Sequence, residues 1–114
     1  MTKAEEIKAA IAAVEKIYAE ADAEAPRPDP LGYILAETEE QRLERHQTFD
    51  KRAEAGRKAI QRLKDDHGAR YALSGAHEHR LTMAGVSSTC TAGSWGLMTN
   101  WLNAARRKLA KLPQ

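Results

Sequence analysis

The sequence predicts a small α+β domain in which a long N-terminal helical hairpin precedes a small antiparallel sheet and a C-terminal helix. Three observations lead to this fold class. Apolar residues recur at helical spacing in three segments, alternate prolines separate the first two of them, and Thr and Val are enriched between residues 70 and 91. A chain of 114 residues has the length of one domain with one core. We therefore expect residues 1–114 to form a single domain.

The first helix is predicted over residues 1–25 and is followed by a connector over residues 26–37. Its apolar stripe consists of Ile7, Ile11, Val14, Tyr18 and Ala21, at spacings of four and three residues. Alanine fills many of the remaining positions and favours helix intrinsically. Three alternate prolines at the start of the connector end the helix and impose an extended, stiff backbone.

A longer second helix is predicted over residues 38–67. Thr38 and Gln41 have the spacing of a capping box, and Gly68 is placed to end the helix. Its predicted seam consists of Phe49, Ala53, Gly56, Ile60 and Leu63. The first half has few large apolar residues, so we expect it to project into solvent or to pair with another surface.

Residues 69–92 are predicted to form two or three short strands, because they hold three of the seven threonines and one of the two valines of the chain and because apolar residues partly alternate. Gly85 marks a bulge or tight turn between the last two strands. The third helix is predicted over residues 94–112, with Ser94 as its N-cap. Its stripe consists of Met98, Leu102, Ala105, Leu109 and Leu112, with Trp101 at one edge.

Charge is divided unevenly along the chain. Residues 1–40 carry four basic and ten acidic side chains, a net charge of −6, whereas residues 41–114 carry fourteen basic and six acidic ones, a net charge of +8. Such a division can be neutralised within one chain, between two copies or by an acidic partner.

The helical phase of the charges favours neutralisation between the first two helices. The residues that flank the two predicted seams are Glu15 and Asp22 on helix one and Arg45, Arg52 and Arg57 on helix two. Antiparallel pairing of the helices brings these opposite charges together. Lys51, Lys58 and Arg62 are predicted to point away from the seam and to remain available.

The sequence contains only incomplete patterns for a metal site, a catalytic cysteine or a phosphate-binding loop. His77 and His79 would share one face of a strand and offer two corners of a metal site, with Cys90 as a third ligand only if the fold brings it close. The spacing pattern of a four-ligand site is absent, and Cys90 lacks the signature of a catalytic cysteine. Residues 87–94 lack the Gly-Lys-Ser/Thr ending of a nucleotide-binding loop. We therefore expect no metal, no cofactor and no enzymatic activity.

The single cysteine and the distribution of apolar residues favour a cytoplasmic protein. Cys90 has no partner for an internal disulfide, which fits a reducing compartment. No apolar run approaches the roughly 20 residues that cross a bilayer, and the N-terminus lacks an apolar signal core.

These observations favour a small non-enzymatic interaction protein, an adaptor or inhibitor that docks a charged helical face on a protein or ribonucleoprotein partner. Small phage-encoded accessory proteins that act on a host complex have a similar size. This comparison is an analogy between classes of protein and does not depend on a shared motif. The predicted partner-binding residues are Lys51, Lys58, Arg62, Trp101, Arg106, Arg107 and Lys108. Trp101 is either a core residue or an anchor of the interface.

Two further expectations concern the partners. The alternative function is nucleic-acid binding through the basic face of helix two and the basic C-terminal helix, since arrays of Lys and Arg bind phosphates. A homodimer formed through the small residues of the helical hairpin is also expected.

Overall fold

The computed structural model describes residues 2–27, 38–74 and 77–112. The elements in chain order are α1 (Lys3–Glu24), α2 (Glu39–His67), β1 (Arg70–Ser74), β2 (Glu78–Met83), β3 (Val86–Cys90) and α3 (Ser94–Lys111). The predicted order and the α+β fold class are confirmed. Most of the predicted connector, residues 28–37, lies outside the described residues.

The predicted ends of α2 are confirmed. Thr38 Oγ1 accepts a hydrogen bond from the N–H of Gln41 at 3.1 Å, and Gln41 Oε1 accepts one from the N–H of Thr38 at 3.0 Å. At the other end, Gly68 adopts the left-handed conformation with φ 68°. The start of α3 corrects the prediction, since the N-cap is Gly93 and Ser94 is already helical.

The three strands form an antiparallel sheet in the order β1-β2-β3. Ala84 and Gly85 connect β2 to β3 with φ values of 53° and 74°. Two positive φ values in a two-residue loop are typical of the type I′ turn, whose twist matches that of the flanking strands. The turn predicted at Gly85 is therefore confirmed.

The core lies between the helices and the inner face of the sheet. Its largest fully buried side chains are Trp101, Ile7, Ile17, Leu63, Leu81, Leu97, Met98 and Val14. On α1, Ile17 belongs to this core, whereas Ile11 and Tyr18 from the predicted stripe are only partly buried.

The buried face of α2 differs from the predicted seam. Phe49 and Ala53 are exposed, and the residues buried beside Gly56, Ile60 and Leu63 are Arg52, Ala55 and Ala59. Small side chains allow α2 to approach the alanine-rich α1 closely, and this contact rotates the buried face away from Phe49. Ala55, Gly56 and Ala59 of the hairpin thus pack within one chain.

The first half of α2 extends beyond the core. We call residues 39–51 the α2 arm. Every side chain in the arm is exposed except that of Arg45, which is half-buried. The arm is about 20 Å long at 1.5 Å per residue, and the molecule measures 55 × 28 × 24 Å. Within the described part of the chain, the helices are too short or too polar to cross a bilayer.

Candidate interaction surface

Part of the divided charge is neutralised inside the chain. Three ion pairs join α1 to the other helices: Asp22–Arg52 at 2.6 Å, Glu20–Arg62 at 2.7 Å and Glu15–Arg106 at 2.9 Å. Arg62 was predicted from the sequence to point away from the seam. In the structure it contacts α1 instead. The reason is the rotated face of α2: Arg62 follows Ala55 and Ala59 at helical spacing, which places it beside α1.

The Glu20–Arg62 pair makes part of the stability depend on pH. The hydrogen bond from Arg62 lowers the pKa of Glu20 below its usual 4.5. This contribution is complete above the pKa of the unfolded chain and is lost as the pH falls through the lower folded value. We expect the Glu20→Gln variant to lose less thermal stability than the wild type as the pH falls below about 4.5. The effect is small because both side chains are 47% exposed.

Thermal unfolding between neutral and strongly acidic pH measures this effect. Arg62→Gln provides the reciprocal control, because it removes the same hydrogen bond and leaves the Glu20 carboxylate in place. If the melting temperatures of the wild type and Glu20→Gln fell in parallel with pH, the Glu20–Arg62 pair would not be the source of this pH dependence.

Arg52 is the one buried charged residue of the described chain, with 7% of its surface exposed. Its guanidinium donates to the carboxylate of Asp22 and, at 2.9 Å, to the carbonyl of Ala25. The same group lies 3.7 Å from the ring centroid of Trp95, whose indole N–H donates to the Arg52 carbonyl at 2.8 Å. Arg52 thereby joins the end of α1, the middle of α2 and the start of α3.

Gly56 makes room for the Trp95 indole in this junction. A Cβ at position 56 would lie 2.8 Å from Trp95 Nε1, which is closer than side chains tolerate. Tyr18 contacts the same indole edge-on, with ring centroids 5.0 Å apart. Neither the helical periodicity nor the charge pattern predicts this cluster. The one sequence feature that could have indicated the cluster is Gly56 itself, because a glycine in the interior of a long helix normally costs stability.

The predicted partner-binding residues separate into three environments. Lys51, Lys58 and Arg107 are exposed. Arg62 and Arg106 are paired with α1 carboxylates, and Lys108 donates to the carbonyl of Gly85 at 2.9 Å.

Trp101 is fully buried and donates its indole N–H to the carbonyl of Val86 at 3.0 Å. Trp101 is thus a core residue in the folded chain, which decides between the two roles expected of it.

The outer face of α2 carries both signs of charge. Between residues 39 and 58, five exposed side chains are acidic and four are basic: Glu39, Glu40, Glu44, Asp50 and Glu54, and Arg42, Lys51, Arg57 and Lys58. Arg57 is paired with Glu54 on the same helix. Leu43 lies in the middle of the arm and is 59% exposed. A face with balanced charges and an exposed leucine matches a protein surface better than a phosphate backbone.

The candidate metal residues are only partly brought together. His79 and Cys90 are register partners on β2 and β3. His79 Nδ1 is hydrogen-bonded to the hydroxyl of Tyr71, and Cys90 Sγ accepts a hydrogen bond from the N–H of Ala92 at 3.2 Å. Among the residues described, no three His, Cys, Asp or Glu side chains are close enough to hold a metal ion.

No protein-family model matches the chain, and no curated protein or solved structure is significantly similar to it.

Proposed function

We propose that this protein is a non-enzymatic interaction protein that binds another protein through the α2 arm. The observation that carries the proposal is the exposure of the arm, which extends a well-capped helix beyond the core. A helix face of this kind binds in a groove of its partner, with side chains at i, i+3 and i+4 in contact. Such binding would let the protein serve as an adaptor, or as an inhibitor that occupies a site on the partner.

The chemistry of the arm defines the partner surface. Leu43 would bind an apolar pocket of the partner. The acidic and basic side chains around Leu43 would contact a partner surface that carries both signs of charge. Lys51 lies at the end of the arm next to the core and supplies a cation at the edge of the contact. Lys58 is exposed on the part of α2 that packs on α1, so we assign it a smaller role.

Nucleic-acid binding is less well supported by the same observations. Arg52, Arg57, Arg62 and Arg106 are engaged in ion pairs, and the remaining cations on α2 alternate with carboxylates. Counterion release from a nucleic acid requires several cations that are free to contact phosphates.

Site-specific photocrosslinking tests the proposal. A photoreactive amino acid at Leu43 is compared with the same amino acid at Gln61, which is also exposed. The two positions are 18 residues apart, or about five helical turns, and therefore face the same direction. In a lysate of the cells that encode the protein, we expect a discrete protein adduct from position 43 and none from position 61.

Equal adducts from both positions, or none from either, would contradict the assignment of the arm. An adduct that is sensitive to nuclease would favour the nucleic-acid alternative instead. With the adduct identified, Lys51→Glu is expected to weaken binding of the purified partner several-fold more than Lys58→Glu.

A further inference from the structure

A second surface is the outer edge of β1. β1 pairs with β2 along one side, and no other strand of the described chain pairs with its opposite side. The unpaired N–H and C=O groups of an edge strand form a template for another strand. Proteins usually protect such edges with prolines, bulges or several charges. The five residues of β1 contain no proline, one charged side chain (Arg70) and an uninterrupted register with β2.

The side chains of β1 leave an apolar group uncovered at this edge. Tyr71 is the register partner of the buried Leu81, and Leu73 is the register partner of His79. Because side chains alternate along a strand, Tyr71 and Leu73 lie on the face of the sheet that packs on the helices. Leu73 nevertheless remains 56% exposed, since the core does not extend to the end of β1.

We propose that β1 pairs antiparallel with β1 of a second copy about a two-fold axis at Ala72, so that the two sheets form one sheet of six strands. In this register, Tyr71 lies directly opposite Leu73 of the partner subunit. Residues in directly opposite positions have Cβ atoms about 4.5–5.5 Å apart, and a pair of an aromatic and an aliphatic residue stabilises the sheet. Each exposed Leu73 then lies beside Tyr71 of the partner subunit, while the Tyr71 hydroxyl stays hydrogen-bonded to His79 within each chain.

The charges and the size of the side chains are compatible with this pairing. Arg70 lies opposite Ser74 of the partner subunit, so the single charged residue of the strand does not face its own copy. Like charges in directly opposite positions would destabilise the pair. The axis passes beside Ala72, whose small side chain is exposed on the outer face of the sheet.

The length of β1 selects the register. A shift by one residue would bring the inner face of one copy beside the outer face of the other. Registers centred on Tyr71 or Leu73 keep the faces aligned but pair fewer residues. Only the register centred on Ala72 pairs all five residues of the strand. A contact between two short strands buries less area than stable dimers do, so we expect weak association that depends on concentration.

Disulfide formation tests the register. In a Cys90→Ser background, Ala72→Cys is compared with Arg80→Cys, its neighbour on the same exposed face of the sheet. Two residues at position 72 would be close enough for a disulfide. Two residues at position 80 would be separated by three strand spacings, about 14 Å. Under identical mild oxidation we expect covalent dimers to form at least tenfold faster from Ala72→Cys. Equal rates, or no dimer from Ala72→Cys, would overturn the proposal.

A substitution at Leu73 provides an independent test. Leu73→Asp places a carboxylate against the negative face of the Tyr71 ring of the partner subunit and is expected to reduce the crosslinking of Ala72→Cys to the rate of the Arg80→Cys control. Leu73→Ile is expected to preserve crosslinking. Circular dichroism verifies that both variants fold, and Leu73→Asn replaces the aspartate variant if that variant does not fold. A wild-type chain that sediments as a monomer at millimolar concentration would also overturn the proposal.

Discussion

Replacing Trp101 with alanine is expected to lower the free energy of unfolding by about 3–5 kcal/mol. The indole is fully buried between α3 and the sheet, and its N–H donates to the carbonyl of Val86. Alanine would remove the largest side chain of the core and leave a cavity, and it would also leave the Val86 carbonyl without this donor. Since small domains have about 5–15 kcal/mol of net stability, the variant should be close to unfolding.

Urea unfolding, followed by circular dichroism, measures this loss. Trp101→Phe is the matched control, because phenylalanine retains most of the buried apolar surface and removes the N–H donor. We expect the phenylalanine variant to lose about 0.5–1.5 kcal/mol, the typical contribution of one hydrogen bond. If Trp101→Ala lost no more stability than Trp101→Phe, the assignment of Trp101 to the core would be wrong.

Replacing Arg52 with methionine is expected to cost about 2–4 kcal/mol, although methionine has similar length and is apolar. The Ala25 carbonyl would lose its buried donor, and the Trp95 ring would lose the cation 3.7 Å from its centroid. Asp22 is half-exposed and can be hydrated, so the loss of its ion pair adds little. The change should loosen the packing of α3 against the first two helices.

Arg57→Met is the matched control for Arg52→Met. Arg57 lies on the same helix and also forms an ion pair, but its side chain is 63% exposed and its partner is one turn away. We expect Arg57→Met to change the urea midpoint little, since exposed ion pairs within a helix contribute weakly. Equal losses from the two variants would show that Arg52 acts only as a surface charge.

The two stability predictions also constrain the functional proposals. Trp101 and Arg52 act inside the fold, so their substitution should weaken partner binding only to the extent that the protein unfolds. A change at Leu43 or Lys51 in the α2 arm should have the opposite profile, with weaker binding and nearly unchanged stability, because both side chains are exposed. Measuring both quantities for each variant separates the two roles.

Features that depend on a few neighbouring residues could be predicted from the sequence. The capping box of Thr38 and Gln41, the stop at Gly68 and the turn at Gly85 each depend on local backbone geometry and hydrogen bonds. The sparse apolar residues in the first half of α2 likewise predicted that this half would not enter the core.

Features that depend on which face of a helix meets its neighbours follow from the packing of the whole chain and not from local sequence. The contact between α1 and α2 selected Ala55 and Ala59 over Phe49 and Ala53. The same rotation turned Arg62 toward Glu20 and buried Arg52 under Trp95. Helical periodicity limits the possible faces, but the closest packing of small side chains selects among them. Local patterns in the sequence therefore predict the elements, most of their ends and the divided charge, whereas packing between distant elements decides which charges are paired and which remain exposed.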